Sequence, residues 1–292
     1  MKIAVIGANG QLGTDICHVF LSQGYEVACL THAHLDVVDL DACREGLRQI
    51  GPELVINTAA MHNVEQCELN PVRAFEVNGL GALNLAKLSE ELNFVLMHIS
   101  TDYVFDGAKM SPYVESDPPL PLNVYGNSKL SGEYFVRTMT PRHFVVRVSG
   151  LFGLAPCRAK GGRNFVTTML KLARERDQVR VIDDEVLSPT YTRDVASHLA
   201  KLAATEAFGL YHLGAQGQCS WHEFAKTIFD FAKVGVKLNV ASPGEFPTKI
   251  KRPSYSVLEN AGIASLGLEP MPHWQDGLRR YLKELQNSEN HR

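Results

Sequence analysis

The sequence predicts an α/β protein built on a doubly wound parallel sheet. Short apolar runs rich in β-branched residues alternate with longer amphipathic stretches through the first 150 residues. Such runs are typical of parallel strands that are buried on both faces, and the stretches between them are typical of crossover helices. With 292 residues, the chain is also long enough for a second, smaller domain. We predict a first domain over 1–150 and a second over 151–292, with some later segments returning to the sheet.

Composition and charge narrow the class of protein. The chain is 45% hydrophobic and 21% charged, with a net charge of -3, which gives no sign of nucleic-acid binding. No apolar run approaches the roughly 20 residues that span a bilayer, and the N-terminus does not resemble a signal peptide. The six cysteines lack Cys-x-x-Cys spacing, which favours buried free thiols over a disulfide or zinc framework. We expect a cytoplasmic protein with no metal site, membrane association or nucleic-acid partner.

The chain opens with a predicted strand, a glycine-rich turn and a helix that continues to about residue 22. The turn reads Gly-Ala-Asn-Gly-Gln-Leu-Gly over 7–13, with its glycines three residues apart. A glycine turn between a strand and a helix is the setting in which a Rossmann-like fold binds the pyrophosphate of a dinucleotide. The predicted cofactor contacts in this turn are Gly7, Asn9, Gly10, Gln11, Leu12 and Gly13.

The second strand, 25–30, should end beside the adenosine ribose. An acidic residue at that point would bind the ribose 2′-hydroxyl and select NAD, but Thr31-His32 stands there instead. This favours NADP(H) and leaves NAD(H) open, although no arginine is evident to bind a 2′-phosphate. We predict a third strand over 35–40 that brings Asp39 to the adenine, with a helix-capping role for Asp39 as an equal alternative. The contacts predicted in this region are Thr31, His32, Asp39 and Leu40.

The next strand, 53–57, is followed by small residues that would let the backbone approach the cofactor. Ala59 and Ala60 are the predicted contacts there, and Asn78 is predicted to face inward from a long helix over 71–93. The polar loop between them supplies His62 and Val64 as predicted substrate contacts. A single loop histidine such as His62 is more often solvated than functional.

The segment 100–133 carries the predicted chemistry. Thr101 follows an apolar run at 94–99, and Tyr125 precedes Lys129 by four residues, so the two share one face of a predicted helix. A phenol with a pKa of about 10 exchanges its proton poorly near neutrality, and a neighbouring ammonium group makes it easier to ionise. We predict that Thr101, Tyr125 and Lys129 form the catalytic unit for reduction of a ketone. Tyr125 and Lys129 would also contact the cofactor.

Four motifs together resemble the dTDP-4-dehydrorhamnose reductase family of the extended short-chain dehydrogenases. They are the segments 7–13, 100–107 and 121–133 and the pattern Arg252-Pro253-x-x-Ser256. The resemblance covers essentially the whole chain. It implies reduction of the 4-keto group of a nucleotide-activated 6-deoxyhexose by NADPH or NADH. The predicted substrate contacts, including those that follow from the resemblance, are His62, Val64, Thr101, Asp102, Gly150, Asn164, Phe165 and Arg252.

Two departures from the family pattern concern the sugar pocket. Family members usually carry a tryptophan where this chain has Gly150, and the loss of that ring would open the pocket. The following loop, 154–163, is longer than usual, and its basic residues are candidates to refill the pocket or to contact phosphate. These residues are Arg158, Lys160 and Arg163.

Other activities remain open from the sequence. A nucleotide-sugar epimerase could use the same tyrosine and lysine, and a regulatory subunit of methionine adenosyltransferase belongs to the same family without being a reductase. A 4,6-dehydratase is disfavoured because it needs an Asp-Glu pair after the threonine, whereas Asp102 is followed here by Tyr103. The oligomeric state is open, and a homodimer is one option.

Overall fold

The protein was analysed as a computed structural model that describes residues 1–157, 161–242, 245 and 250–290, with side chains through 288. In this part of the chain the strands are β1 (Lys2–Ile6), β2 (Glu26–Leu30), β3 (Leu54–Asn57), β4 (Val95–Thr101), β5 (His143–Val148), β6 (Leu151–Phe152), β7 (Gln178–Val181), β8 (Val186–Leu187), β9 (Thr190–Tyr191), β10 (Gly209–Leu213), β11 (Cys219–Ser220) and β12 (Lys237–Val240).

The α-helices are α1 (Gln11–Ser22), α2 (Leu40–Ile50), α3 (Val64–Leu69), α4 (Pro71–Phe75), α5 (Gly81–Leu92), α6 (Val124–Met139), α7 (Phe165–Glu175), α8 (Thr192–Ala203), α9 (Trp221–Ala232), α10 (Ala261–Ser265) and α11 (Trp274–Asn290). A π-helical turn, Glu76–Leu80, joins α4 to α5, and a 3₁₀ turn, Asp102–Val104, follows β4. The helix predicted over 71–93 is therefore three consecutive helical segments.

A six-stranded parallel sheet lies at the centre, in the order β10-β5-β4-β3-β1-β2. Successive side chains of a strand point to opposite faces, so Ile3 and Val5 pack against α1 and α8, while Ala4 and Ile6 pack on the side of α2 and α5. Helices thus cover both faces. The predicted doubly wound α/β sheet is confirmed.

A second hydrophobic core forms from the later part of the chain. Phe152, Tyr191, Phe224, Trp274 and Tyr281 are among its buried members, contributed by β6, β9, α9 and α11. However, β10 belongs to the main sheet, where it pairs with β5. The later half of the sequence therefore supplies both the second core and one edge strand of the first, and the domain boundary at 150 stays a prediction.

The strand predicted over 35–40 is wrong. Leu35 and Val37 are buried as expected, but the backbone between β2 and α2 forms turns and pairs with no neighbouring strand of the described chain. The Leu35 amide donates to Thr31, and the Asp39 amide donates to Asp36. Alternating apolar residues predicted a strand because their side chains do point into the core, although a turn places them there.

The expectation of free thiols holds for four of the six cysteines. Cys43, Cys67, Cys157 and Cys219 are buried and form no disulfide within the described residues. Cys17 and Cys29, in contrast, are joined as a disulfide between α1 and β2, so the sequence-based expectation was wrong for this pair. Because α1 packs directly beside β2, the two Cα atoms lie 6.4 Å apart, a separation that a disulfide can span.

A membrane-spanning helix is not found among the described residues: each helix there is too short or too polar to cross a bilayer.

Candidate active site

A cavity of about 760 Å³ runs along the carboxyl ends of the central strands. Gly7 after β1, Thr58 after β3, Thr101 at the end of β4 and Val148 at the end of β5 all lie in its wall. Ligands of open α/β sheets bind at this edge, where loops diverge to either side of the sheet. The cavity is therefore the natural site for a cofactor and a substrate.

The glycine turn forms one end of the cavity and fits a dinucleotide pyrophosphate. Gly7 has φ +81°, and a Cβ atom there would lie 2.6 Å from the hydroxyl of Thr58. A Cβ atom on Gly13 would collide with the Gly7 carbonyl and lie 2.9 Å from the Cα atom of Ala8. Helix α1 starts directly after Gly10 with no side-chain cap and no acidic residue in its first turn. Uncapped N–H groups at a helix start attract phosphate, which is what this turn needs to hold the cofactor.

The predicted contacts around the adenosine end separate into two groups. His32 lines the cavity, whereas Thr31, Asp39 and Leu40 do not. Asp39 is exposed and accepts a hydrogen bond from the Ala42 amide at 2.9 Å. It therefore caps α2, and the alternative role at the adenine is not supported.

Sequence reasoning missed two charged groups at this end, Asp36 and Arg73. Arg73 is 3.5 Å from Asp36 and 3.1 Å from Glu76, and His32 is 3.4 Å from Asp36. Arg73 stands more than 40 positions beyond the second strand, so no local motif could connect it to His32. Helix α4 thus places an arginine at this end of the cavity.

The three predicted catalytic residues converge in the middle of the cavity. Thr101, Tyr125 and Lys129 all line it, and the Thr101 hydroxyl is near enough to the Tyr125 phenol to oppose the rise of its pKa. Asn123 caps α6 by accepting from the Gly126 amide, and Gly126 lets the helix start against the backbone of Tyr103. These local features fix the first turn of α6, and with it the position of Tyr125.

The electrostatics of Tyr125 differ from the prediction. Burial raises its pKa, and the neighbouring Thr101 hydroxyl opposes that rise. The Lys129 amine instead donates to the carbonyl of Ile99 at 2.6 Å and lies 3.3 Å from His98. The expectation that Lys129 lowers the tyrosine pKa is therefore not met in this state, because the amine is directed into the sheet.

The carboxylate of Asp102 holds Thr101 through a hydrogen bond. It is buried and accepts hydrogen bonds from Thr101 at 3.1 Å, Ser149 at 2.8 Å and Ser256 at 2.6 Å. Burial raises its pKa, and the three hydroxyl donors oppose that rise. Asp102 lines the cavity as predicted for a substrate contact, but its oxygens are already occupied by these hydroxyls. Its structural effect is to fix the orientation of the Thr101 hydroxyl.

The far end of the cavity is aromatic. Phe165 and Trp221 pack with ring centroids 4.5 Å apart, and Phe224 stacks on Phe165 at 5.4 Å. The Trp221 indole donates to Glu185 at 3.0 Å, and burial raises the pKa of that carboxyl. Of this group, sequence reasoning found only Phe165. Tyr103, edge-on to Tyr125 at 5.7 Å, connects the aromatic end to the catalytic residues.

Gly150 lines the cavity, and the backbone explains why no large ring stands there. Its φ is +54°, and a Cβ atom would lie 2.7 Å from Leu187 and 3.1 Å from Pro189. The aromatic surface of the pocket is supplied from α7 and α9 instead. Arg158 and Lys160 lie outside the described residues, and Arg163 is exposed and away from the cavity wall.

Most of the remaining predicted contacts line the cavity, but Asn78 and Arg252 do not. Ala59, Ala60, His62, Val64, Asn164 and the rest of the glycine turn line the cavity, and His62 lies 3.6 Å from the thiol of Cys157. Asn78 lies behind the wall, where it binds both the amide and carbonyl of Met61 and the hydroxyl of Ser128. Arg252 is beside the wall, and its buried Nε finds no acceptor within the part of the chain that the structure describes.

A Rossmann-like sheet, a glycine cradle at its N-terminus and a Thr–Tyr–Lys group at its carboxyl edge define a nucleotide-cofactor protein of the short-chain dehydrogenase class. Comparison with known proteins makes this specific. The family model described as "RmlD substrate binding domain" matches residues 1–287. The chain belongs to this family, that of the dTDP-4-dehydrorhamnose reductases.

Relatives match along nearly their full length. The chain is 39% identical over 283 residues to the spore coat polysaccharide biosynthesis protein SpsK of Bacillus subtilis, covering 97% of each chain. It is 36% identical to a dTDP-4-dehydrorhamnose reductase of Aggregatibacter actinomycetemcomitans, covering 95% of this chain and 97% of the relative. The crystal structure of a dTDP-4-dehydrorhamnose reductase from Bacillus anthracis in complex with NADP superposes with a TM-score of 0.92, at 36% identity, over 97% of this chain and 99% of the other.

Proposed function

We propose that this protein is an NADPH-dependent reductase that converts the 4-keto group of a dTDP-linked 6-deoxyhexose to a hydroxyl. The observation that carries the proposal is the convergence of Thr101, Tyr125 and Lys129 in one cavity wall, between a dinucleotide cradle and an aromatic pocket. The reductases named among the relatives support the choice of a nucleotide-activated sugar.

Each residue of the site has a separate role in the proposed reduction. Bound NADPH supplies the hydride. Thr101 and Tyr125 hydrogen-bond the carbonyl oxygen, and the Tyr125 phenol donates its proton as negative charge develops there. A high phenol pKa suits this direction of reaction, because a buried tyrosine keeps its proton until the alkoxide needs it. Phe165 and Trp221 offer the sugar nucleotide an apolar surface, and Arg252 is close enough to the wall to meet a phosphate oxygen.

The preference for NADPH is supported by the charged groups at the adenosine end. The guanidinium of Arg73 could bind a 2′-phosphate with help from His32, and both line the cavity. Asp36 lies within 3.5 Å of both side chains and partly neutralises the charge of Arg73, so we expect a preference and not an exclusion of NADH. The relative crystallised with NADP agrees with this choice. A cytoplasmic location and a homodimer remain proposals from the sequence.

Purified protein incubated with NADPH and a dTDP-4-dehydro-6-deoxyhexose tests the activity. We expect one NADPH to be consumed per sugar reduced, with the new C4 hydroxyl identified by NMR. Tyr125→Phe should lower kcat by a factor of about 10² to 10⁴, because it removes the proton donor.

Tyr134→Phe is the matched control, since Tyr134 is an exposed tyrosine on the same helix. It should reduce the sugar at the wild-type rate, and both variants should bind NADPH normally. Sugar interconversion without net NADPH consumption would identify an epimerase. NADPH binding with no turnover on any nucleotide 4-ketosugar would identify a binding module, and either outcome would overturn the proposal.

A further inference from the structure

The amine of Lys129 is enclosed by a polar network that the proposed chemistry does not use. Lys129 is 2% exposed, and its Nζ contacts the Ile99 carbonyl and the Nε2 atom of His98. His98 is 1% exposed and stands on β4, on the face that α6 covers. Gly132 permits this approach, because a Cβ atom there would lie 3.3 Å from His98 Nε2 and collide with the carbonyl of Asn78.

The next strand fixes the tautomer of His98. Asn57 is the register partner of His98 on β3, and its amide Nδ2 lies 3.1 Å from His98 Nδ1. The orientation of this amide is set by its other end, since Asn57 Oδ1 accepts from the Ala59 amide at 3.0 Å. An amide nitrogen can only donate, so Nδ1 must accept and a neutral ring carries its proton on Nε2. Burial holds the pKa of His98 well below its usual value, so the ring is neutral.

A ring N–H therefore points at Lys129. An ammonium group has three donors and no lone pair, so it cannot accept this hydrogen bond. A neutral amine can accept from His98 while still donating to Ile99, which satisfies every group. We propose that Asn57 and His98 are a positioning pair: they present an N–H to Lys129 and thereby stabilise its neutral amine over its ammonium form.

The surrounding charges agree with this assignment. Burial lowers the pKa of Lys129 to about 8, and the carboxylate of Glu133, one turn later on α6, opposes that change. Glu133 is itself held by Arg147 of β5 at 2.7 and 2.9 Å, which restrains its influence. Tyr125 lies one turn before Lys129, and Asp102 lies beyond Tyr125. Lys129 can thus exchange a proton near neutrality, and the pair decides where on the pH scale it does so.

The first test uses the unmodified protein. A ¹⁵N spectrum of the histidine rings, with the His98 signals assigned by their loss in His98→Gln, reports which ring nitrogen carries the proton. We expect His98 protonated on Nε2 alone. Protonation on Nδ1, or on both nitrogens at neutral pH, would overturn the proposal.

The second test follows Lys129 itself. Its Cε signal, assigned by its loss in Lys129→Met, is titrated in the wild type, in Asn57→Leu and in Asn57→Asp. Both Asn57 variants release the ring to present an unprotonated Nε2, which an ammonium can donate to. We expect the Lys129 midpoint to rise by about half a unit to one unit in Asn57→Leu, the size of one hydrogen bond, and further in Asn57→Asp.

The two variants separate the tautomer from simple charge. A rise in Asn57→Asp with none in Asn57→Leu would mean that only the added carboxylate acts, and would refute the pair. Thermal unfolding and NADPH binding confirm that the variants are folded. In the pH profile of kcat/KM, the inflection that belongs to Lys129 should shift to higher pH in these variants. This kinetic result rests on the proposed reduction, whereas the NMR results do not. Failure of one can therefore be distinguished from failure of the other.

Discussion

The two ends of the cavity are built in different ways. The cofactor end, including the catalytic residues, consists of strand ends and first helical turns: the turn after β1, the end of β4 and the start of α6. The substrate end is assembled from side chains of α7, α9 and the segment before β8. These elements are far apart in sequence and meet only across the second hydrophobic core.

This difference predicts which substitutions should change cofactor binding and which should change substrate binding. At the cofactor end we propose that the backbone of the glycine turn binds the pyrophosphate, so a single methyl group added to that turn should weaken cofactor binding. At the aromatic end we propose that individual side chains bind the sugar nucleotide, so their loss should weaken substrate binding and leave cofactor binding unchanged. Four substitutions follow, of which the first two test this contrast directly, the third tests a side chain at the cofactor end and the fourth tests the stability of the aromatic end.

The largest effect is expected from Gly13→Ala. The new Cβ atom would collide with the Gly7 carbonyl, so the turn must shift by a few tenths of an ångström or more. We expect the Kd of NADPH, measured by fluorescence titration, to rise about a hundredfold. Gly46→Ala on α2 is the control, because its Cβ atom makes an ordinary 3.6 Å contact with Leu35. It should leave the Kd unchanged and stabilise the fold by about 0.5 kcal/mol or more. Equal effects of the two would mean that the turn does not hold the cofactor.

Trp221→Ala should act on the substrate alone. Removing the indole takes away the ring packed on Phe165 and the donor to Glu185. We expect KM for the ketosugar to rise about tenfold to a hundredfold in steady-state assays, with the Kd of NADPH unchanged. Trp221→Phe keeps a ring and should fall between wild type and alanine. A parallel loss of NADPH affinity would show that the two ends are not independent.

Arg73→Gln should affect only the choice of cofactor. If the guanidinium binds the 2′-phosphate, its loss should raise the Kd of NADPH about fivefold while NADH binding stays constant, and the effect should shrink in high salt. The control is Arg48→Gln, an exposed arginine that pairs with Glu91 and does not line the cavity. A wild-type cofactor preference in Arg73→Gln would remove this residue from the site.

The smallest expected effect concerns stability. Burial raises the pKa of Glu185, so its charged form costs folding free energy once the pH exceeds the unfolded pKa of about 4.3. Glu185→Gln removes that cost. The variant should gain less than about 1 kcal/mol over wild type, with the gain growing as pH rises through the window between the two pKa values and constant above it. Urea unfolding across this pH range measures the difference. A gain that is already complete at acid pH would point to packing instead of charge.

Features built from one local segment were predictable from the sequence, whereas features assembled from distant segments were not. The strands predicted at 2–6, 53–57 and 143–148 were found because each depends on local chain chemistry, and Thr101, Tyr125 and Lys129 line one cavity as expected, although their catalytic role stays a prediction. The strand over 35–40 was wrong because an alternating apolar pattern reports which side chains are buried, while the backbone hydrogen bonds decide whether the segment is a strand or a turn. Arg73 and Trp221 were missed because nothing in their own neighbourhoods distinguishes them from surface or core residues.

The sequence alone determined the α/β sheet, the glycine turn and the placement of Tyr125 and Lys129 on one face of α6, since spacing along a strand, turn or helix dictates these arrangements. Tertiary structure decided the direction of the Lys129 amine and the composition of the substrate pocket. Lys129 turns into the sheet because His98 and Asn57, side by side on neighbouring strands, lie beneath it. Such contacts between distant segments exist only after the sheet has formed, and no spacing rule within one segment encodes them.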